Sequence, residues 1–161
     1  MNMKVEKTAL NKVILFSIVS IIYSIISFKI IEYLKLGGNI GGMTFKSTIQ
    51  EIFIGLIFGP IIETFIFQFA IYKIVFYFKK SIQKYFLKTE TQFSVLYILI
   101  SCLLFAISHS YSLLYTLLMI IPGAILAYSF YFFKKNYMYP ILYTFFIHLL
   151  HNSFVFIADK I

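Results

Sequence analysis

Apolar residues dominate five long stretches of the chain, and short polar or glycine-containing segments separate them. The stretches cover about residues 10–34, 49–78, 93–108, 113–133 and 139–158. A helix that spans a bilayer needs roughly 20 predominantly apolar residues. The pattern therefore predicts an all-α fold, a multi-spanning transmembrane helix bundle with about five spans.

Glycine and proline mark the interruptions in this pattern. Four glycines within residues 37–42 predict a flexible turn after the first span. Gly59-Pro60 interrupts the second stretch, and Pro122-Gly123 lies near the middle of the fourth. Proline removes a helical hydrogen bond and kinks the helix, which is tolerated where the bundle re-satisfies the backbone. Two overlapping capping boxes begin the second stretch, and they predict that Glu51 caps this helix.

Composition strengthens the membrane assignment. Hydrophobic residues make up 61% of the 161 residues, charged residues 12%, and mean hydropathy is +0.90. Soluble domains are about 45–50% apolar and about 25% charged. Five spans leave no room for a soluble domain, and the first stretch is predicted to be a retained span rather than a signal peptide. We expect residues 1–48 to form the first span with its glycine-rich loop, and residues 49–161 to form the core.

The positive charge is carried entirely by lysine. All 14 basic residues are lysines and the net charge is +8, yet they lie at span ends and in loops. This distribution indicates orientation by the positive-inside rule and attraction to anionic lipid, not a nucleic-acid partner. With the amino end inside, nine lysines fall on the inner side and three on the outer: Lys4, Lys7, Lys12, Lys79, Lys80, Lys84, Lys88, Lys134 and Lys135 against Lys35, Lys46 and Lys160. The remaining two, Lys29 and Lys73, lie too deep in the first and second stretches to assign to a side. The lone Cys102 excludes an intrachain disulfide and is expected to pack in the interior.

A few polar residues fall inside the apolar stretches, where lipid makes them costly. Glu63 lies about halfway along the second stretch, and an acid there costs roughly 2.5–3.5 kcal/mol on insertion scales. A protonated acid bonded to a neighbouring helix would be a structural explanation. A base or proton carrier facing a wet cavity is the functional one, and it is favoured for intramembrane acids.

His148 and Asn152 are four residues apart, so a helix places them on one face, where they can both donate to one oxyanion. His151 beside them is the weaker candidate, because the same spacing from it reaches Val155. His109 ends the third stretch. If Glu63, His109 and His148 converge, they offer either a water-activating base pair with an oxyanion donor or a two-histidine, one-carboxylate metal site.

The order of these pieces resembles a known family. Pro60-Ile61-Ile62-Glu63-Thr64-Phe65-Ile66-Phe67-Gln68, Phe105-Ala106-Ile107-Ser108-His109, Pro122-Gly123-Ala124 and His148-Leu149-Leu150-His151-Asn152 follow one another in the chain. They are similar to the E-E-x-x-x-R, F-x-x-x-H and H-x-x-x-N motifs of the CPBP family, the CAAX proteases and bacteriocin-processing proteins, also called Abi. The resemblance covers about residues 59–154.

This resemblance implies an intramembrane glutamate-type endopeptidase of a bacterial cell membrane that cleaves a membrane-associated peptide or protein. Glu63 and His109 would activate water, and His148 and Asn152 would hold the oxyanion. It implies no cofactor, with zinc as the alternative. The family's second glutamate is Thr64 here and its arginine is Gln68, so a charge pair is replaced by two neutral residues.

Two further hypotheses stay open at this point. One is a non-catalytic membrane protein of the bacteriocin-immunity kind that binds a peptide. The other is a small transporter in which Glu63 relays protons, although the repeated broken helices of many transporters are missing from the sequence.

Overall fold

The computed structural model describes residues 3–36, 43–79 and 89–160, with side chains from Thr8 onward. These residues form helices and no β-strand, so the all-α prediction is confirmed. Each of five helices is long and apolar enough to cross a membrane: α1 (Met3–Tyr33), α2 (Thr48–Tyr77), α3 (Glu90–Ser108), α4 (Leu113–Asn136) and α5 (Pro140–Ala158). The turn predicted at residues 37–42 and the lysines at 80, 84 and 88 lie outside the described residues.

The bundle has apolar residues outside and polar residues inside. Isoleucine, leucine and phenylalanine side chains along every helix are about half exposed, as at Ile14, Ile62 and Leu99. Ten polar side chains are instead buried between the helices: Ser17, Ser20, Ser24, Thr64, Gln68, Ser101, Ser129, Thr144, His148 and His151. This distribution suits a lipid solvent, in which polar groups must find partners within the protein.

The start of α2 corrects one prediction. The Ser47 hydroxyl accepts a hydrogen bond from the Gln50 amide at 3.2 Å, and the Gln50 side chain accepts from the backbone of Lys46 at 2.7 Å. The prediction that Glu51 caps the helix is wrong, because its carboxylate pairs with Lys160, beyond the end of α5, at 3.1 Å. The hydrogen bond that Lys160 donates to the Glu51 carboxylate raises the pKa of Lys160. The chain after α5 is thereby tied to the start of α2.

The Gly59-Pro60 pair alters the helix without ending it. π-Helical stretches at Glu51–Phe58 and Thr64–Ala70 flank the α-helical stretch Gly59–Glu63. The Gly59 amide donates five residues back, to the Ile54 carbonyl. With the same five-residue spacing, the amide of residue 60 would donate to the Gly55 carbonyl, but Pro60 has no N–H. The Asn152 side chain on α5 donates to that carbonyl instead, at 2.9 Å.

Pro122 inside α4 leaves a similar gap. Its missing N–H would have served the Leu118 carbonyl four residues earlier. The Tyr23 hydroxyl on α1 donates to this carbonyl at 2.8 Å. Each interior proline is therefore compensated by a side chain from a neighbouring helix, which is how membrane helices tolerate proline.

Helices α3 and α4 lie very close together at Gly123. A Cβ there would lie 3.1 Å from the Cα of Cys102 and 3.0 Å from the Cδ1 of Phe105. Cys102 is 2% exposed and packs at this crossing. Only glycine fits so near the neighbouring backbone.

The end of α2, the start of α3 and the last turns of α4 meet at one end of the bundle. Lys79, after α2, pairs with Glu90 of α3 at 3.0 Å, and Tyr131 of α4 donates to the same carboxylate at 2.7 Å. Phe16 near the start of α1 contacts the rings of Phe132 and Phe133, near the end of α4. Helices α1 to α4 therefore alternate in direction.

Candidate active site

Three of the four predicted residues meet in one place. The Glu63 carboxylate on α2 lies 3.7 Å from Nε2 of His109, which follows α3, and 3.6 Å from Nε2 of His148 on α5. The side chain of Glu63 is 27% exposed, that of His109 is 17% exposed and that of His148 is 4% exposed. One carboxylate oxygen thus faces two imidazoles, and it retains an open side.

His109 is oriented by its own helix. It is the C-cap residue of α3, and its Nδ1 lies 2.8 Å from the Phe105 carbonyl. A ring nitrogen that faces a carbonyl oxygen carries the proton, so Nδ1 donates and Nε2 presents a lone pair toward Glu63. The Ser108 hydroxyl donates to the same carbonyl at 2.7 Å. Ser108 was not singled out in the sequence.

His148 is held differently. Its Nδ1 is buried and has no hydrogen-bond partner among the described residues. The Phe105 ring packs against both histidines, with ring centroids 4.5 Å from that of His109 and 5.8 Å from that of His148. Phe105 therefore spaces the two imidazoles on either side of the carboxylate, besides supplying the carbonyl for His109.

Asn152 lies one turn beyond His148 and is directed at α2. One N–H of its amide donates to the Gly55 carbonyl. An amide NH₂ carries two donors, so this bond uses one of the two N–H groups of Asn152. The backbone bond was not predictable from the sequence, because it depends on the π register of α2.

Gly59 is a further part of the site that the sequence analysis treated only as a helix interruption. It lies one turn before Glu63, and a Cβ built on it would lie 3.5 Å from Oε1 of Glu63 and 2.7 Å from the Ile54 carbonyl oxygen. A Cβ here would touch the carboxylate at an ordinary contact distance but would clash with the Ile54 carbonyl oxygen, so the backbone of α2 at this point requires glycine.

Thr64 and Gln68, the two departures from the family motif, are both fully buried. The Thr64 hydroxyl and both polar atoms of the Gln68 amide find no hydrogen-bond partner among the described residues. The Gln68 backbone carbonyl accepts from Tyr97 at 3.0 Å. The positions that carry a charge pair in the motif are therefore neutral and closed off from the surface.

His151 does not join the site. Its Nδ1 lies 2.7 Å from the Ser20 hydroxyl on α1, and both residues are buried. Among the described residues no group of three or more histidine, cysteine, aspartate or glutamate side chains is arranged to hold a metal ion.

The fold and the site define a class of protein: an integral membrane protein whose spans enclose a carboxylate flanked by two imidazoles. Residues 44–154 match the family described as Rce1-like, type II CAAX prenyl endopeptidase, and the chain belongs to this family. It is a family of CAAX protease-like intramembrane peptidases within the CPBP group, which confirms the resemblance. No curated protein and no solved structure matches the chain.

Proposed function

We propose that the protein is an intramembrane glutamate-type endopeptidase that cleaves a membrane-associated peptide or protein. The observation that carries this proposal is the Glu63 carboxylate within 3.7 Å of two imidazole Nε2 atoms. A carboxylate is a suitable general base when it lies within reach of a water molecule and of groups that orient that water.

The reaction begins with a water between Glu63 and His109. The unprotonated Nε2 of His109 accepts one hydrogen bond from the water, and Glu63 takes a proton as the water oxygen attacks the peptide carbonyl carbon. The new C–O bond converts the carbonyl to a tetrahedral oxyanion. Glu63 then gives its proton to the leaving nitrogen as the C–N bond breaks.

His148 and Asn152 stabilise the oxyanion. The Nδ1 of His148 meets no carbonyl oxygen, so the proton is free to reside on Nε2, which faces the reacting groups. Asn152 supplies the N–H that Gly55 does not engage. Two donors aimed at the developing charge are the requirement of an oxyanion hole.

The substrate is a peptide segment presented at the membrane, and the family description points to the CAAX class. The resemblance supports a bacterial cell membrane. The sequence carries more lysines in the segments before α1, between α2 and α3 and after α4 than in the other connecting segments, which supports an amino end in the cytoplasm.

The test is cleavage of a membrane-anchored reporter peptide carrying a CAAX-type end by the purified, full-length protein in liposomes. Glu63→Gln and His109→Ala each lower kcat by about 10²–10⁴-fold, the usual contribution of general acid–base catalysis. Glu32→Gln is the matched control, because this glutamate is exposed and its ion-pair partner among the described residues is Lys29, one turn away. All three variants are checked for membrane insertion.

Full activity in both site variants would overturn the proposal and favour a non-catalytic peptide-binding protein of the immunity kind. Loss of activity on chelation, restored by zinc, would indicate a metal centre at the same residues instead of water activation by glutamate. Proton flux in liposomes that depends on Glu63 would indicate a transporter.

A further inference from the structure

Helix α1 lies outside the residues that match the family, yet it contacts the helix that carries His148. The match begins at residue 44 and α1 ends at Tyr33. The Ser20 hydroxyl of α1 lies 2.7 Å from Nδ1 of His151 on α5. Ser20 is 1% exposed and His151 is 9% exposed, so water does not compete for this bond.

A second hydrogen bond fixes α1 one turn further along. The Tyr23 hydroxyl donates to the Leu118 carbonyl of α4. Residues three apart on a helix share a face, so one face of α1 is bonded to both α5 and α4. These two bonds fix the rotation of α1 relative to its neighbours.

His151 is coupled to the site by its position in α5. It lies three residues beyond His148 and directly before Asn152 in the same continuous helix. A helix rotates as a unit, so turning His151 away from α1 also turns His148 away from Glu63 and Asn152 away from Gly55. The 3.6 Å separation between Glu63 and His148 is sensitive to such a rotation, since catalysis falls steeply with misplacement of about 1 Å.

We propose that Ser20 is a positioning residue, acting through His151, that holds α5 in the rotation at which His148 and Asn152 face Glu63 and Gly55. This inference rests on the proposed peptidase function for its activity readout. It makes α1 a part of the active-site scaffold.

The kinetic test compares Ser20→Ala with Ser17→Ala in the full-length protein in liposomes. Ser17 is buried on the same helix, but its hydroxyl donates within α1, to the Val13 carbonyl at 2.9 Å. Ser20→Ala lowers kcat about tenfold with little change in KM, and Ser17→Ala does not. Ser20→Thr, which keeps the hydroxyl, restores activity toward the wild-type value.

A double variant separates positioning from general loss of packing. If Ser20 acts through His151, Ser20→Ala causes no further loss of kcat in a His151→Ala background. Equal, additive losses from the two changes overturn the proposal. So does a Ser17→Ala variant that loses as much activity as Ser20→Ala.

A spectroscopic measurement keeps the inference independent of activity. In ¹⁵N-histidine-labelled protein, Ser20→Ala shifts the ring nitrogen signals of His151 and of His148, whereas Ser17→Ala leaves both unchanged. A His151 shift without a His148 shift overturns the positioning role. Shifts of both in a protein without peptidase activity support the positioning and overturn the proposed function alone.

Discussion

The two histidines beside Glu63 differ in the environment of their second ring nitrogen. Nδ1 of His109 is bonded to the Phe105 carbonyl, whereas Nδ1 of His148 has no partner among the described side chains and backbone groups. A carbonyl partner selects the Nδ1–H tautomer, and its absence leaves the Nε2–H tautomer accessible. Two identical side chains at nearly equal distances from one carboxylate are thereby suited to opposite tasks, accepting and donating.

This difference predicts how substitutions at His148 behave. His148→Ala removes an oxyanion donor and lowers kcat by about 10²–10³-fold. His148→Gln retains an N–H donor and loses markedly less. Steady-state kinetics on the reporter peptide checks both variants. Equal losses in the two would mean that His148 acts by something other than hydrogen-bond donation.

The neutral pair Thr64 and Gln68 predicts an asymmetric response to restoring the charges of the family motif. Gln68→Arg alone places an unpaired charge at a fully buried position and lowers the free energy of unfolding by about 3 kcal/mol. Adding Thr64→Glu supplies a counter-charge one turn away and recovers part of that loss. Denaturation in detergent measures both. A stable single Arg variant would contradict this account.

At the scale of helices, the interior prolines of α2 and α4 have a common consequence. Each removes a backbone donor, and the carbonyl that loses it accepts from another helix: Gly55 from Asn152, and Leu118 from Tyr23. The prolines therefore create cross-helix bonds as well as local irregularity. One of these bonds uses a residue of the candidate site.

A double-mutant cycle tests whether Pro122 creates the need for the Tyr23 hydrogen bond. Tyr23→Phe removes the donor to Leu118 and lowers the free energy of unfolding by about 1 kcal/mol. In a Pro122→Ala background the helix supplies its own N–H, so the same change costs less. Unfolding in mixed micelles gives the free energies of unfolding of the wild type, the two single variants and the double variant. An equal cost in both backgrounds would show that Pro122 does not create the need for Tyr23.

The crossing of α3 and α4 gives another prediction. Gly123→Ala places a Cβ about 3 Å from Cys102 and Phe105, and overpacking of this kind costs about 1–3 kcal/mol. Because Phe105 supports both histidines, kcat falls as well. Gly55→Ala is the control for thermal stability, since the new Cβ would lie 3.4 Å from the nearest neighbouring atom, Cζ of Phe45, which is an ordinary contact. A Gly123→Ala variant as stable as this control would contradict the packing account.

At the scale of the whole molecule, the spans and the meeting of Glu63, His109 and His148 were predictable from the sequence. Both follow from the same physics, because lipid excludes polar groups unless they face one another or water. The prediction of Cys102 as an interior residue is confirmed by its burial. The division at residue 48 stays a prediction, and α1 is in direct contact with the predicted core.

Other features of the site depend on contacts that no local pattern encodes. The π-helical stretch of α2 shifts the backbone hydrogen bonds by one residue. The bond from Asn152 to the Gly55 carbonyl and the bond between Ser20 and His151 each join two different helices. Glu51 shows the same limit, because Ser47 and Gln50 cap the helix, while the partner of Glu51, Lys160, lies more than a hundred residues away.

Because Cys102 is buried against Gly123, the wild-type protein reacts little with thiol reagents. Single cysteines placed at the exposed positions Lys46 and Lys135, at opposite ends of the bundle, therefore report membrane sidedness without prior removal of the native thiol. With the amino end inside, an impermeant maleimide labels Lys46→Cys in intact cells and labels Lys135→Cys only after lysis. The reverse pattern would invert the orientation.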